Sequence, residues 1–446
     1  MTSIRAGLMV ALIVLTGCAV PMNLARPAEP LPSATPIRAG MSAERLERMS
    51  EFFRSEVEKN TAAGYVLLVA RHGKLVYSSA IGMRDREQAL PMTLDTRFRI
   101  MSMTKPVTSV AVLMLCEQGL LQLDDPVSRY LPEFADARVF TRKGERGELE
   151  TGPAKQPITI RHLLTHTSGL GYGPLYDQSS DLAQTWGSLD LSGPGSLADK
   201  VRAIAALPLY SQPGEQWRYS YADDVLGRVI EVVSGQPFDR FLQTRLFEPL
   251  GMRDTSFWIP ERDAGELARV YVRDAQGSLQ PVDASLVGSP HDPTKWPSGG
   301  HGLISTAGDY LRFAQMLANG GSFAGRQYLS PVTVALMTSN QVAADAMAKF
   351  WGANSLGLGY GMGVAPVIDA GAAAQANLDG DYSWGGLLGT QWLVSPQSGI
   401  VAVLMTQMNP IGNAEAQRTY VDFRNLLYAT VVTQNPDGKP AAAGEH

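Results

Sequence analysis

The chain has 446 residues, of which 45% are hydrophobic and 18% are charged, and its formal net charge is −5. This length allows two or three domains with a large core, and the composition is that of a globular protein. The negative balance argues against a nucleic-acid partner, because such partners require a basic surface.

The N-terminus begins with an apolar run that ends in a cysteine. Arg5 precedes the run Leu8–Leu15, which is too short to span a bilayer and has the layout of a secretory signal. The run ends in Leu15-Thr16-Gly17-Cys18, which resembles a bacterial lipobox, whose cysteine is acylated and becomes the mature N-terminus. We therefore expect residues 1–17 to be a lipoprotein signal peptide. An ordinary signal peptide and a buried helix are the alternatives.

Lipidation of Cys18 would anchor the protein in a membrane of the bacterial cell envelope, facing the periplasm. The alanine after this cysteine favours the outer membrane. Residues 18–40 are rich in proline and alanine without a hydrophobic period, so we interpret them as a tether. Cys116 is the only other cysteine, which leaves no disulfide within the chain if Cys18 is lipidated. Residues 433–446 are expected to be a disordered tail.

The first predicted elements are a helix and a hairpin. Ser42 is a plausible N-cap, and apolar residues recur at helical spacing from there to Lys59. The β-rich runs Tyr65–Arg71 and Lys74–Ile81 flank His72-Gly73 and predict a hairpin. This order favours an antiparallel sheet with helices packed on it.

The middle of the chain, residues 106–299, is predicted to be a mainly helical lobe. It opens with the run Val107–Cys116, which is apolar on nearly every side and therefore indicates a buried helix. Residues 138–156 are polar and predict an irregular surface excursion. Residues 171–197 have loop composition and could overhang a site.

The remaining residues return to strands. Helical patterns cover residues 307–319 and 331–339, strand patterns follow between 382 and 407, and a helix closes the fold at about 416–430. We therefore expect residues 41–105 and 300–432 to form an α/β lobe.

The stretch Ser102-Met103-Thr104-Lys105 leads into the buried helix, with Ser102 at its tip and Lys105 one turn along on the same face. A serine hydroxyl becomes nucleophilic when a base takes its proton, and a lysine whose pKa is lowered by burial can do so. The helix N-terminus also suits a developing oxyanion. Alone this motif is weak, and chance occurrence is the alternative.

Two histidines and a glycine-rich stretch suggest other chemistry. His162 and His166 have the i, i+4 spacing of a zinc pair, but they lack an intervening acid and a third ligand, so a structural function is favoured. The stretch Pro297–Thr306 is glycine-rich but lacks the lysine of a phosphate-binding loop.

Three separated motifs occur in order: Ser102-x-x-Lys105, Tyr219-Ser220-Tyr221 before a predicted helix, and Trp384-Gly385-Gly386 on a late strand. Together with residues 158–170 and 302–321, they resemble the serine β-lactamase and penicillin-binding-protein superfamily in its class C-like branch. The resemblance is closest to the β-lactamase-fold carboxylesterases (family VIII esterases) and covers about residues 42–430. It implies an α/β fold of the α+β type, with an antiparallel sheet flanked by helices and a mainly helical domain.

The resemblance also implies a function for each matching residue. Ser102 would be the acylated nucleophile and Lys105 its general base or proton relay. Tyr219 would exchange protons with Ser102 and the leaving group, and a buried phenol between cations can have a lowered pKa. The backbone amides of Ser102 and Leu387 would form the oxyanion hole. Trp384-Gly385-Gly386 matches a Lys-Thr-Gly strand in position, where glycine lets the strand approach the substrate.

Two residues depart from the pattern of β-lactamases and DD-peptidases. Tyr221 stands where these enzymes usually have asparagine, and Trp384 replaces the lysine that helps hold a substrate carboxylate. An indole carries no positive charge and offers apolar area. Both changes favour uncharged esters, and Trp-x-Gly here is the pattern of the esterase branch.

The function predicted from these residues is a serine hydrolase that cleaves a small-molecule ester without a cofactor or metal. An alcohol acceptor in place of water would make it an acyltransferase. The alternatives are a β-lactamase or DD-peptidase with the same fold, and a non-catalytic lipid-anchored binding protein. The oligomeric state is left open.

Overall fold

The fold is built around a central strand, β1 (Gly64–Arg71), which is buried along its whole length. Successive side chains of a strand face opposite sides of the sheet. Val66 and Leu68 accordingly join the core on one side, whereas Leu67 and Val69 join the core on the other. The computed structural model describes residues 31–177, 180–189, 191, 193, 195–282, 289–373, 375–409 and 414–433.

The remaining strands within these residues are β2 (Lys74–Asp85), β3 (Leu90–Pro91), β4 (Arg97–Arg99), β5 (Arg138–Lys143), β6 (Leu149–Pro153), β7 (Tyr271–Arg273), β8 (Leu279–Pro281), β9 (Ile304–Thr306), β10 (Ser322–Phe323), β11 (Arg326–Gln327), β12 (Ala365–Pro366), β13 (Tyr382–Gly385), β14 (Gln391–Ser395) and β15 (Ile400–Met405). Six of them join β1 in the seven-stranded main sheet, in the order β12-β13-β14-β15-β1-β2-β3. Every neighbouring pair in it is antiparallel, as predicted.

The α-helices are α1 (Ala43–Glu58), α2 (Thr104–Glu117), α3 (Ile160–Leu164), α4 (Ala183–Gly187), α5 (Leu197–Ala205), α6 (Ala222–Ser234), α7 (Phe238–Leu242), α8 (Glu248–Leu250), α9 (Ala307–Ala318), α10 (Pro331–Thr338), α11 (Ala346–Trp351) and α12 (Ala414–Ala429). A π-helix, Gln243–Phe247, joins α7 to α8. No helix in the described part of the chain is long and apolar enough to cross a membrane.

Helices cover both faces of the sheet. On one face α9 packs on β1, β14 and β15, whereas α1 packs on β2 and on α12 on the other face. The helical part is arranged around α6, which contacts α2, α3, α5 and α7. The layered fold with helices flanking an antiparallel sheet agrees with the sequence-based expectation.

Two hairpins differ from that expectation. Residues 138–156 were expected to be irregular, but β5 and β6 pair in antiparallel register from Arg138 opposite Pro153 to Lys143 opposite Leu149. The polar composition hid this hairpin, because its exposed faces carry charged side chains. A second hairpin, β7–β8, lies inside the expected helical lobe, yet Tyr271 joins the core formed by β1, α1 and α12.

The expected tether also differs where it is described. Residues 1–30 and 434–446 lie outside the described residues, but residues 31–40 pack on the domain. The amide of Ala34 donates to the carbonyl of Leu75, and the amide of Leu75 donates to that of Pro32. The segment forms a 3₁₀ turn, Ile37–Ala39, before α1. Backbone pairing to an edge of β2 holds this part of the chain in place.

Arg71 joins both ends of the described chain to the sheet. Its side chain is fully buried and donates to the carbonyls of Ala39, Gly40, Ser398 and Thr433, at 2.6–2.9 Å. One guanidinium therefore satisfies four carbonyl oxygens from three separate segments.

Replacing Arg71 by leucine should lower the free energy of unfolding by about 3 kcal/mol, because buried carbonyls would lose their charged donor. Urea unfolding of Arg71→Leu and of Arg38→Leu, an exposed neighbour, measures the difference. Equal stabilities of the two variants would contradict this account of Arg71.

Candidate active site

Ser102 lies in a 3₁₀ turn, Met101–Met103, that leads directly into α2. Met101 has a φ of 46°, in the left-handed region that side chains other than glycine rarely adopt. This strained turn places Ser102 before the helix, and Lys105 is the second residue of α2. The Lys105 Nζ lies 3.3 Å from the Ser102 Oγ. The structure thus brings together the two residues of the first motif.

The amine of Lys105 is fully buried. Burial lowers its pKa, and the carboxylates of Asp223 and Asp224 act in the opposite direction. Nζ also donates to the carbonyl of Gly300 at 2.8 Å and lies 4.4 Å from the ring centroid of Tyr219. A lysine with a lowered pKa has more of the free amine that can accept a proton.

Tyr219 also contacts the serine. It hydrogen-bonds Ser102 through its side chain, and its hydroxyl accepts the indole N–H of Trp384 at 3.3 Å. Burial raises the pKa of this phenol, so the expectation of a lowered pKa was wrong. The desolvation of the fully buried phenol outweighs its hydrogen bonds with Ser102 and Trp384, which act in the opposite direction. The raised pKa favours the neutral phenol, whereas the lowered pKa of Lys105 favours the free amine.

The late strand β13 brings Trp384 to this cluster. Trp384 lies opposite Trp392 of β14, and its ring packs 5.6 Å from that of Tyr219. A Cβ on Gly386 would lie 2.4 Å from the carbonyl oxygen of Ile100 and 2.3 Å from the Thr390 Oγ1. Glycine at 386 is thus required by packing against the turn before the nucleophile, and not only by substrate, as the sequence had suggested.

The predicted oxyanion donors sit on these two segments. Ser102 belongs to the 3₁₀ turn, and Leu387 directly follows Gly385 and Gly386 at the end of β13. Contact between β13 and the turn joins the segments that carry both amides. Their participation in an oxyanion hole stays a prediction.

Tyr221 lies apart from the serine and lysine. It occupies the N-cap position of α6, and its ring contacts Tyr172 at 4.3 Å and stacks on Trp186 at 6.4 Å. These contacts indicate that Tyr221 packs against Tyr172 and Trp186. Its predicted place in substrate binding is not supported by a contact to Ser102 or Lys105 among the described residues.

Three aromatic residues at the site were not singled out from the sequence. The rings of Tyr172, Tyr176 and Trp351 lie 5.3–5.4 Å from that of Tyr219. The two tyrosines come from the loop-like stretch expected to overhang a site, so its glycine- and tyrosine-rich composition was the available signal. Trp351 is the last residue of the short helix α11, and no sequence pattern identified it as a site residue.

The two histidines have separate partners. His162 accepts the amide of Thr159 at the start of α3. His166 is fully buried, with Nδ1 3.2 Å from the Ser220 Oγ and Nε2 3.4 Å from the Asp223 Oδ2. Burial and the nearby Lys105 hold its pKa well below the ordinary value. Among the described residues no cluster of three potential metal ligands occurs.

Comparison with known proteins decides the family. A family model described as Beta-lactamase matches residues 49–425. The chain belongs to the β-lactamase family.

Relatives within this family include esterases. Esterase EstB of Burkholderia gladioli is 35% identical, and the alignment covers 84% of this chain and 93% of EstB. Among solved structures, EstCE1, described as a hydrolase with promiscuous acyltransferase activity, is 32% identical with a TM-score of 0.73 and covers 86% of this chain and 98% of its own. Simvastatin synthase (LovD) from Aspergillus terreus is 25% identical with a TM-score of 0.75, covering 87% and 99%. The predicted fold and family are therefore confirmed.

Replacing Trp384 by phenylalanine should lower kcat/KM for p-nitrophenyl butyrate by about fivefold, because the Tyr219 hydroxyl loses one hydrogen bond. Trp392→Phe is the matched control, since Trp392 lies opposite on β14 and its indole N–H has no hydrogen-bond partner among the described residues. Equal losses in the two variants would contradict a specific function of the Trp384 indole.

Proposed function

We propose that this protein hydrolyses uncharged carboxylic esters through an acyl-enzyme on Ser102. It is a serine hydrolase of the β-lactamase fold, related to esterases over most of its length. The observation that carries the proposal is that Ser102 contacts two buried groups. The amine of Lys105 lies 3.3 Å from its hydroxyl, and the phenol of Tyr219 is hydrogen-bonded to it.

Acylation begins when the Ser102 Oγ attacks the ester carbonyl carbon as its proton passes to the Lys105 Nζ. The carbonyl oxygen becomes an oxyanion that accepts hydrogen bonds from the amides of Ser102 and Leu387. The oxyanion then collapses, the bond to the alcohol oxygen breaks, and the phenol of Tyr219 donates its proton to the leaving alkoxide. The new ammonium of Lys105, over the Tyr219 ring, stabilises the phenolate and returns the proton.

Deacylation uses the same groups in reverse. A water molecule gives a proton to the Lys105 Nζ and attacks the acyl carbon. The bond between that carbon and the Ser102 Oγ then breaks, the Ser102 Oγ takes the proton of the Tyr219 phenol, and the carboxylic acid is released. The raised pKa of Tyr219 keeps its phenol protonated until the more basic alkoxide takes the proton, and the lowered pKa of Lys105 favours the free amine that serves as base.

The choice of uncharged esters rests on Trp384. An indole at this place presents apolar area and a hydrogen bond that is already made to Tyr219. Trp351 packs 5.6 Å from Trp384 and extends this aromatic wall. A substrate carboxylate would gain no cationic partner from these rings. β-Lactams and peptide C-termini carry such a carboxylate, which places them second as substrates.

Acyl transfer is the second candidate, because EstCE1 is described as a hydrolase with promiscuous acyltransferase activity and LovD as a synthase. An alcohol that occupies the place of water would take the acyl group from Ser102. Product analysis with an added alcohol separates the two fates of the acyl-enzyme.

Hydrolysis of p-nitrophenyl acetate, butyrate and octanoate beside nitrocefin tests the substrate class. We expect ester turnover with slow or undetectable nitrocefin opening. Faster turnover of nitrocefin than of the esters would favour a β-lactamase. Full ester activity in Ser102→Ala would refute the nucleophile.

We also propose that Cys18 carries the lipid anchor in the bacterial outer membrane. The support is the order of Arg5, the apolar run and Leu15-Thr16-Gly17-Cys18 in the sequence; these residues lie outside the described part. Radiolabelled palmitate should enter the wild-type protein in a bacterial host and fail to enter Cys18→Ser. Labelling of both proteins, or of neither, contradicts the anchor.

A further inference from the structure

The segment Ser298–His301 lies between the helix that carries Lys105 and the helix that follows Tyr219. Two successive carbonyls of this segment accept hydrogen bonds from α2. The Thr108 Oγ1 donates to the carbonyl of Gly299 at 2.7 Å, and the Lys105 Nζ donates to that of Gly300 at 2.8 Å. The segment therefore supplies the backbone acceptor of the basic amine.

Asp224 holds this segment from the other side. It lies in the first turn of α6, and its residue is fully buried. Its Oδ1 accepts the hydroxyl of Ser298 at 2.5 Å and the amide of Gly300 at 3.2 Å. Gly300 thus donates its amide to Asp224 and accepts the amine of Lys105 on its carbonyl. One residue therefore connects the carboxylate to the catalytic amine.

A side chain has little room at Gly300 and no room at Gly299. A Cβ on Gly300 would lie 3.0 Å from the Asp224 Oδ2, 3.1 Å from the Tyr172 hydroxyl and 3.5 Å from the Lys105 Nζ. A Cβ on Gly299 would lie 2.2 Å from the carbonyl oxygen of Asp223. The glycines of the stretch Pro297–Thr306 therefore allow α2 and α6 to pack closely against the segment Ser298–His301.

We propose that Asp224 is a positioning residue that holds the Gly300 carbonyl and thereby orients the amine of Lys105 toward Ser102. A neutral amine has two N–H groups and one lone pair. The Gly300 carbonyl accepts one N–H, which restricts rotation of the amine and leaves the lone pair available to the Ser102 Oγ. If the Gly300 carbonyl is not held in place, the Lys105 side chain populates several staggered rotamers, and its lone pair is less often aligned with the Ser102 Oγ. This inference rests on the proposed function of Lys105 as base.

The charge of Asp224 has a second, separable effect. Among the described residues, the titratable groups that face Lys105 are Asp223 and Asp224 on α6, Tyr219 before it, Tyr172, Tyr176, His166 and His301. Asp224 raises the pKa of Lys105, against burial. Removing its charge therefore lowers that pKa, and the acidic limb of kcat/KM, which reports loss of the free amine, moves to lower pH.

Three variants separate positioning from charge. Asp224→Ala removes the acceptor and the charge, so kcat should fall by about 30-fold with little change in KM. Asp224→Asn keeps an acceptor oxygen, so most of kcat should remain while the acidic limb moves to lower pH. Ser298→Ala removes the hydroxyl that donates to Asp224 and bonds the Gly300 amide and His301, and it keeps the charge of Asp224. We expect kcat to fall by about threefold without a shift of the limb.

Asp309→Asn is the matched control, because Asp309 is a buried carboxylate at the start of α9 that accepts the Thr255 hydroxyl and the Asp254 amide, away from Lys105. It should lower the thermal midpoint and leave kcat per folded molecule unchanged. A folded Asp224→Ala protein with wild-type kcat and pH profile overturns the proposal. So does a kcat loss that the unfolded fraction explains.

Labelling of Ser102 by a fluorophosphonate distinguishes this inference from the proposed substrate class. The labelling rate depends on the reactivity of the serine and needs no ester substrate. Slow labelling of Asp224→Ala, rescued in Asp224→Asn, supports the positioning function even if no tested ester is turned over. Equal labelling rates in wild type and Asp224→Ala overturn it even if the esters are good substrates.

Discussion

The burial of one amine is the constraint on which the active site depends. A charged ammonium in the position of Lys105 would lose its hydration, and this cost lowers the pKa of the amine. The surrounding groups compensate for part of the cost: the Gly300 carbonyl, the Tyr219 ring and two carboxylates on α6. The result is an amine whose pKa lies below its ordinary value, which favours its use as a catalytic base.

The architecture follows from the need to surround that amine. The 3₁₀ turn before α2 supplies the serine, and helix α2 supplies the lysine. The segment before α6 supplies the phenol, and strand β13 supplies the indole that hydrogen-bonds the phenol. Strand β13 packs against the turn that bears Ser102, and this contact positions β13 next to the start of α2. Glycines at 299 and 386 occur where a Cβ would lie within 2.4 Å of the carbonyl oxygen of another segment, and a Cβ on Gly300 would lie 3.0 Å from the Asp224 carboxylate.

Local chemistry made the first motif predictable. Residues three apart at the start of a helix share a face, so the pairing of Ser102 with Lys105 follows from spacing alone. The antiparallel sheet followed from strand patterns and turn residues, and Tyr219 and Trp384 followed from resemblance. The contacts of Gly300 with Asp224 and Lys105 join residues distant in sequence, and no local pattern marks them.

Other differences have equally physical causes. The direction of the Tyr219 pKa depends on the depth of its burial, which no motif specifies. The β5–β6 hairpin was hidden by polar side chains on exposed strands. The segment 31–40 was expected to be a tether because it is rich in proline, yet two backbone hydrogen bonds to Leu75 fix it on β2.

The most direct test of the central claim is to trap the acyl-enzyme. The protein is mixed with p-nitrophenyl butyrate, quenched in acid within the first turnover, digested and analysed by mass spectrometry. The account predicts one butyryl group on the peptide that contains Ser102, and its loss in Ser102→Ala. A butyryl group on another residue, or rapid ester turnover without any covalent intermediate on Ser102 at any quench time, would contradict it.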